Sequence, residues 1–328
     1  MTWLLAVLVL AGASAHAQTI TETFGSGANQ FSIDFVQIGN PGNAADQGKY
    51  ARYGETFFAG SVDYFYRLGK FEISREIIEK ANNIGILGIS LANLDSFGGI
   101  TDGNIPTRAA TGISWNEAAR FVNWLNISKG YQAAYNFTTI GVNDNITVWD
   151  GSQQSGSSAY RHKDAYYFLP NRDEWYKGAY FDPNKIGGMG YWDFPTGSDI
   201  APNPVSGGTE AGTAVYEFQP GPADINFAGG LSPYGTMGQG GNVWEWIESA
   251  ADGSNNLGGE DREIRGGAWN AAGITRDWLN PEWPSQAEPT NEFISFGFRV
   301  AMVPEPSSLS LLLAGGAVLM TGRRRNLS

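Results

Sequence analysis

The stretch Gly241-Asn242-Val243-Trp244-Glu245-Trp246 decides the fold of this chain, together with two shorter motifs that follow it, Arg265-Gly266-Gly267-Ala268-Trp269 and Gly297-Phe298-Arg299. Trp244 and Trp246 stand two residues apart, so in an extended segment both side chains lie on one face of a strand. This spacing favours core packing over a catalytic role.

The remaining residues of these motifs also predict a scaffold, and Asn242 belongs to it. Arg265 and Arg299 are expected as buried guanidinium groups that bind carboxylates and main-chain carbonyls. Gly266 and Gly267 allow a tight turn or a positive φ ahead of a strand. The motifs therefore predict packing and hydrogen bonding before they predict chemistry.

The first 18 residues are predicted to be a signal peptide. An apolar run leads into small residues, with cleavage expected after Ala17 or Gln18, and the usual basic n-region is missing. A buried N-terminal helix is the alternative, but no capping residue precedes it.

The C-terminal residues 303–328 are predicted to be a separate tail. They contain Pro304-Glu305-Pro306, an apolar run over 309–320 and three arginines at 323–325. A helix of that length covers about 18 Å, which is short of the roughly 30 Å hydrocarbon core, so it predicts a transient inner-membrane anchor. The arginines are expected to stay cytoplasmic. A permanent anchor that is never cleaved is the alternative.

Composition narrows the class of partner. The chain has 21 Lys and Arg against 33 Asp and Glu, a net charge of -12, which disfavours nucleic acid as a ligand. It has no cysteine, so an exported domain must rely on a large core instead of disulfides. Its 11 Trp, 14 Tyr and 18 Phe can supply that core.

Local patterns predict strands at 30–38 and 64–73 and three capped helices. The expected N-caps are Ser74, Ser114 with a capping box to Glu117, and Asn171. The Gly, Pro and Asn content after Phe181 predicts ordered loop with short strands to about Tyr234.

Five segments in this order, 113–118, 169–175, 241–246, 265–269 and 297–299, resemble the formylglycine-generating enzyme family, also called sulfatase-modifying factor domains. The resemblance implies a single α+β domain over residues 19–302, related to C-type lectins, with much irregular loop structure. It also implies that the N- and C-terminal strands pair, which would bring the strand of Phe31 close to residues 296–300.

The C-terminal tail resembles the PEP-CTERM sorting signal of Gram-negative bacteria. In proteins with this signal, an exosortase of the inner membrane handles the Pro-Glu-Pro motif, the short hydrophobic helix and the basic end. The resemblance implies export to the periplasm, the cell surface or the extracellular matrix, with the exosortase as a partner.

Enzymes of the resembled family use two cysteines that bind copper and activate oxygen. Those positions fall near Ala271 and Arg276 in this chain, and Cu(I) needs sulfur ligands, so copper is not expected. A related branch uses histidine-bound iron. His162 is the only histidine outside the leader, and its neighbours Arg161 and Lys163 predict a surface position, so iron is not expected either.

Calcium is the cofactor that the resemblance supports. It implies oxygen ligands from the carbonyls of Gly241 and Val243 and from the side chain of Glu245. A further side-chain ligand falls at Gly238 and is lost, unless water, Asp224 or Asn226 replaces it. Residues 252–263 imitate an EF-hand loop, but Leu257 stands at the required glycine, so a solvated acidic loop is expected.

Three functions remain open. The favoured one is a catalytically silent domain that binds an extracellular polysaccharide or an envelope protein in the former active-site cleft, since aromatic and amide side chains suit sugars. The residues expected to line that cleft are Trp269, Asn270, Arg276, Trp278 and Trp283. The alternatives are a metal-dependent oxidoreductase with non-cysteine ligands such as Asp277, and a structural matrix protein without a discrete ligand.

Overall fold

The computed structural model describes residues 18–49, 56–138, 146–156, 158–270 and 278–304. Three α-helices lie in these ranges: α1 (Arg75–Gly85), α2 (Trp115–Ser128) and α3 (Arg172–Tyr180). The strands are β1 (Thr19–Phe24), β2 (Phe31–Ile38), β3 (Asp46–Lys49), β4 (Thr56–Ala59), β5 (Tyr66–Gly69), β6 (Asn136–Phe137), β7 (Ile146–Thr147), β8 (Gln154–Ser155), β9 (Ser158–His162), β10 (Tyr167–Phe168), β11 (Phe181–Asp182), β12 (Gly190–Tyr191), β13 (Asn203–Pro204), β14 (Thr213–Ala214), β15 (Trp244–Ala250), β16 (Arg262–Arg265), β17 (Ser285–Ala287), β18 (Phe296–Phe298) and β19 (Ala301–Met302).

The largest sheet joins both ends of the described chain. Its strand order is β1-β2-β5-β19-β10, and every neighbouring pair is antiparallel. Strand β2 places Phe31, Ile33 and Phe35 in the core at alternate positions, as a half-buried strand should. Residues from the first and last parts of the domain therefore share one sheet.

A second sheet carries the signature motifs and has the order β17-β16-β15-β18. Strand β15 runs antiparallel to β16, where Glu245 faces Arg265, and parallel to β18, where Trp246 faces Phe298. All seven residues of β15 are buried. The signature strand is thus an interior strand, covered on both faces.

The helices begin where the local sequence predicts. Ser74 accepts a hydrogen bond from the Ile77 amide, and Ser114 and Asn171 each complete a capping box, with Glu117 and with Glu174 respectively. These side chains satisfy backbone N–H groups that a helix start leaves without partners. All three predicted N-caps are confirmed.

Two tryptophan side chains connect α2 to β15. Trp115 donates its indole N–H to the carbonyl of Ile247 at 2.9 Å, and Trp246 donates to the carbonyl of Ile113 at 2.7 Å. Both side chains are fully buried, and buried indoles need such partners. The start of α2 is therefore fixed against the signature strand.

The predicted α+β class with short strands and much loop is confirmed, but direct pairing of the terminal strands is wrong. Strand β5 lies between β2 and β19, and β18 belongs to the second sheet. The two regions approach through Phe121, whose ring lies 6.5 Å from that of Phe31 and 5.6 Å from that of Phe298. Within the described ranges, no helix has the length and apolar character to cross a membrane.

Candidate functional site

The carboxylate of Glu245 lies at the centre of the signature and is bound by two buried side chains. Arg299 donates from Nε to Oε2 at 2.6 Å and from Nη2 to Oε1 at 2.5 Å. The indole N–H of Trp175 donates to Oε2 at 2.7 Å. Both oxygens of Glu245 are therefore engaged by charge-assisted or indole hydrogen bonds.

Arg299 also fixes two backbone segments. Its Nη1 donates to the carbonyl of Gly69 at 2.9 Å, and its Nη2 donates to the carbonyl of Met237 at 2.8 Å. A fully buried guanidinium needs this many partners, since a buried charge without them costs several kcal/mol. The side chain thus joins the end of β5, the loop before the signature and β15.

Glu72 is a second buried carboxyl group beside this ion pair, and the sequence did not predict it. Its Oε2 accepts a hydrogen bond from Asn242 Nδ2 at 2.6 Å, and its Oε1 accepts one from the Val243 amide at 3.3 Å. Burial, and next the negative charge of Glu245, raises the pKa of Glu72 well above its usual range.

Asn242 has a backbone as well as a side-chain role. Its φ of 57° is left-handed, a conformation that asparagine tolerates better than most residues. Its Oδ1 accepts from the Ala223 amide at 2.7 Å, and its main-chain carbonyl accepts from the Trp269 amide at 2.9 Å. One residue of the signature therefore positions three separate segments.

The side chain of Glu245, one of the three predicted calcium ligands, is already occupied by other protein groups. Both oxygens of Glu245 already bind Arg299 and Trp175, and a calcium ion at Glu245 would have to displace the guanidinium. Among the described residues, no group of three or more His, Cys, Asp and Glu is placed to hold a metal. Calcium binding stays a prediction that rests on the resemblance alone.

The ligand position lost at Gly238 is filled from elsewhere in the chain. A Cβ atom at Gly238 would lie 2.8 Å from Oε2 of Glu72. Of the two substitutes suggested by the sequence, Asp224 lies 3.6 Å from Arg108, and Asn226 lines a cavity between β2 and α1 that Glu72 also lines. Glu72 occupies the space that a side chain at 238 would need.

The Arg-Gly-Gly motif makes the turn that connects β16 to this site. Gly266 and Gly267 have φ values of 96° and 74°, and a Cβ on Gly266 would lie 2.8 Å from the carbonyl oxygen of Gln239. Only glycine accepts both constraints without strain. Arg265 contacts Glu263 and donates to the carbonyl of Pro281 at 3.1 Å.

The predicted ligand-binding residues are described only in part. Ala271 and Arg276 lie outside the described residues. Trp269 is buried, Asn270 is exposed, and Trp283 is half-buried. Trp278 is half-buried and packs on Trp244, with 5.5 Å between ring centroids. Because it is buried, Trp269 does not present a face for stacking.

Two predictions about polar residues need correction. His162 is buried, against the predicted surface position: its ring packs edge-on against Trp149 at 4.7 Å, and its Nδ1 accepts from the Asp164 amide at 3.1 Å. In the acidic segment 252–263, residues 252–254 are exposed as expected, but Glu263 is buried in β16 and binds Arg172 at 2.6 Å.

A second buried ion network lies at the far end of β15, and the sequence analysis missed it. Arg161 donates from Nε to Glu248 at 2.8 Å, and from Nη1 and Nη2 to Glu174 at 2.9 and 2.8 Å. Its guanidinium also stacks on Phe168, 3.7 Å from the ring centroid. The capping box at Glu174 could be predicted from the sequence, but a local pattern of this kind does not indicate that Arg161 also binds Glu248 on β15.

Comparison with protein families accords with this fold and this arrangement of motifs. Residues 95–303 match the model described as a sulfatase-modifying factor enzyme 1-like domain. The match covers well over half of the chain, so the chain belongs to this family. No protein of curated function matches the sequence.

Solved structures with a similar fold have low sequence identity. Treponema denticola variable protein 1 is 17% identical, with a TM-score of 0.56 over 87% of this chain and 99% of that one. PvdO from Pseudomonas aeruginosa is 15% identical, with a TM-score of 0.51 over 86% of this chain and 98% of that one. These likenesses concern the fold alone.

Proposed function

We propose that the chain is an exported, non-catalytic member of the sulfatase-modifying factor family that binds a polysaccharide or a protein of the cell envelope. The observation that carries the proposal is the absence of cysteine from the whole sequence. The family's oxygen chemistry depends on thiolate ligands for copper, and no other side chain provides an equivalent soft anionic sulfur.

The contacts of the signature support a role that does not need catalysis. Glu245, Arg299 and Asn242 are buried and bind other protein groups, as set out above. Removing one partner of such a buried network is strongly destabilising, on the order of 3–5 kcal/mol. Stability alone is thus a sufficient reason for these residues to be present.

The binding surface in this proposal lies beside the segment 271–277. Asn270 and Trp278 flank this segment in the sequence, and Arg276 falls within it. Asn270 is exposed, Trp283 is half-buried, and Trp278 packs on Trp244. Amide, guanidinium and indole groups suit hydroxyl-rich ligands and protein surfaces. The predicted leader at 1–18 and the sorting tail at 303–328 would deliver this surface to the envelope through an exosortase.

Binding can be tested with the full chain and fractionated envelope material from the same cells. We expect retention of one polysaccharide or protein fraction, and at least tenfold weaker retention for Trp283→Ala and Trp278→Ala. Phe58→Ala is the matched control, because Phe58 is an aromatic residue that is 64% exposed on β4. Equal retention of all four proteins would overturn the proposed surface.

The non-catalytic part of the proposal has its own test. The full chain, supplied with Cu(I) and oxygen, is incubated with a cysteine-containing peptide of the type that the family modifies. The mass of the peptide is then measured by mass spectrometry. We expect unchanged cysteine. Conversion to formylglycine would contradict the proposal, whatever the binding experiments show.

A further inference from the structure

A polar cavity of about 360 Å³ lies at the end of β15 away from the signature turn. The loop between β4 and β5, the hairpin of β8 and β9 and the start of α3 form its walls. Glu248, four residues after Trp244 on β15, binds the Arg161 that lines it. Four residues of strand span about 13 Å, so Glu248 lies well away along β15 from Trp244, the residue on which Trp278 packs.

Several polar groups in the cavity have no hydrogen-bond partner among the described residues. The side chains of Asp63 and Ser155 form no hydrogen bond within the described residues. Asn171 uses its Oδ1 for the Glu174 amide, and its Nδ2 makes no bond to the described part of the chain. Asp173 uses Oδ1 for the Gly60 amide at 2.8 Å, and its second oxygen is left for a ligand. The cavity thus offers both acceptors and a donor.

The floor of the cavity is rigidly organised. Arg161 is held between Glu174 and Glu248, as described above. Ser158 donates to Glu248 at 2.6 Å, and Tyr64 donates its hydroxyl to Glu174 at 2.6 Å. A preorganised site loses less conformational entropy when a ligand binds.

Tyr64 provides an aromatic surface at the rim. Its hydroxyl is anchored, yet 44% of the side chain is exposed, so the ring is fixed in position with one part open to solvent. An amphipathic ring of this kind contributes contact area at low entropic cost. Together with the free carboxylates, amide and hydroxyl, it forms the combination that recognises a hydroxyl-rich ring.

We propose that this cavity binds an uncharged saccharide unit. Its volume lies within the range of small-molecule sites, about 300–1,000 Å³. Asp63 and Asp173 accept hydrogen bonds from sugar hydroxyls, Asn171 donates one, and Tyr64 packs on the sugar ring. The site is independent of the surface beside 271–277 and does not rest on the function proposed above.

The charge of the cavity sets its selectivity. Glu174 and Glu248 pair with Arg161. This leaves the lining carboxylates Asp63 and Asp173 as a net negative charge, which the nearby cations Lys177 and Arg172 offset only in part. Negative charge in a confined site repels an anionic ligand. The cavity therefore favours neutral glycans over uronic acid polymers.

The experiment uses the full chain and three probes: cellohexaose, chitohexaose and a hexamer of galacturonic acid, each titrated by calorimetry. We expect binding of at least one neutral hexamer and none of the galacturonic acid hexamer. Asp63→Asn should weaken binding at least tenfold, and it is the first variant to make because Asp63 has no hydrogen bond to lose within the described residues. Tyr64→Ala should weaken binding to a similar extent.

Glu210→Gln is the matched control, because it makes the same carboxylate-to-amide change at an exposed, remote position and should bind like the wild type. Binding of neither neutral hexamer, or equal binding by Asp63→Asn and the wild type, would overturn the proposal. The proposal would also be overturned if the wild type bound Ca²⁺ or Mg²⁺ but no sugar, and Asp63→Asn abolished that cation binding. Trp283→Ala should leave sugar binding at this cavity unchanged. The saccharide proposal and the envelope-binding proposal can therefore fail independently of each other.

Discussion

The carboxylate of Glu72 fills the space into which a side chain at position 238 would project, since a Cβ atom on Gly238 would lie 2.8 Å from Oε2 of Glu72. The same carboxylate holds Asn242, in the left-handed turn that starts the signature. Glu72 can thus occupy this position only because residue 238 is a glycine without a side chain.

Gly238→Ala should lower the free energy of unfolding by about 2 kcal/mol or more. The φ of 79° at Gly238 disfavours alanine by about 1–2 kcal/mol, and the collision with Glu72 adds to this. Gly235→Ala is the control, because φ is 87° there with no atom within 4 Å of the new methyl group. Urea unfolding of both variants measures the difference. Equal losses of unfolding free energy would show that the Glu72 side chain moves aside without destabilising the domain.

Loss of either partner in the Glu245–Arg299 pair should destabilise the domain by about 3–5 kcal/mol, since the remaining charge stays buried. Arg299→Lys keeps the charge but loses the forked geometry, so it should also destabilise. Glu76→Gln breaks the exposed pair with Lys80 and should change stability by less than about 1 kcal/mol. Thermal unfolding of these variants provides the comparison.

Lys177 should make stability rise with pH in the alkaline range. Burial lowers its pKa to about 8, and its Nζ donates to the carbonyl of Asn40 at 2.8 Å. The folded state therefore holds fewer protons than the unfolded state between about pH 8 and the ordinary lysine pKa of about 10.4. The wild type should gain about 2 kcal/mol relative to Lys177→Met between pH 7.5 and pH 10, as measured by urea unfolding. A constant difference would contradict the lowered pKa.

Removal of calcium should leave the domain intact. With Glu245 bound by Arg299, treatment with EGTA should shift the unfolding midpoint by less than about 2 °C, and added Ca²⁺ should restore nothing. A large shift that Ca²⁺ reverses would support the calcium site implied by the resemblance. Metal analysis of protein purified without chelators gives a second readout.

The tail should be processed only when its motif is intact. Replacement of Pro304, Glu305 and Pro306 by alanine should leave the exported protein with its C-terminal segment. Ser307→Ala and Ser308→Ala, in the same linker, should be processed like the wild type. Intact mass spectrometry of the exported protein distinguishes the two forms, and processing of the triple alanine variant would rule out the motif.

The sequence predicted best where a structural cause is local. The N-caps at Ser74, Ser114 and Asn171 each bond to a residue three positions ahead, so the sequence pattern predicted them and the structure confirms them. The burial of Trp246 in the core also followed from its place in the strand.

What failed depends on contacts distant in sequence. Its basic neighbours predicted a surface position for His162, yet Arg161 is itself buried between Glu174 and Glu248, and His162 packs against Trp149. Glu72 lies 170 residues from Asn242, and nothing in its immediate sequence indicates that it reaches the signature. The polar cavity arises from three separate segments, which the sequence alone does not bring together.

The strand order of the largest sheet has a consequence for how the protein is made. Strand β19 lies between β5 and β10, although it is synthesised after both. A nascent chain that ends before Ala301 therefore has a gap in the middle of this sheet, and it also lacks Arg299, the partner of Glu245. This sheet and the Glu245–Arg299 pair can therefore be completed only after synthesis has passed these residues, so the last strand of the described chain is needed to close a sheet that begins with the first.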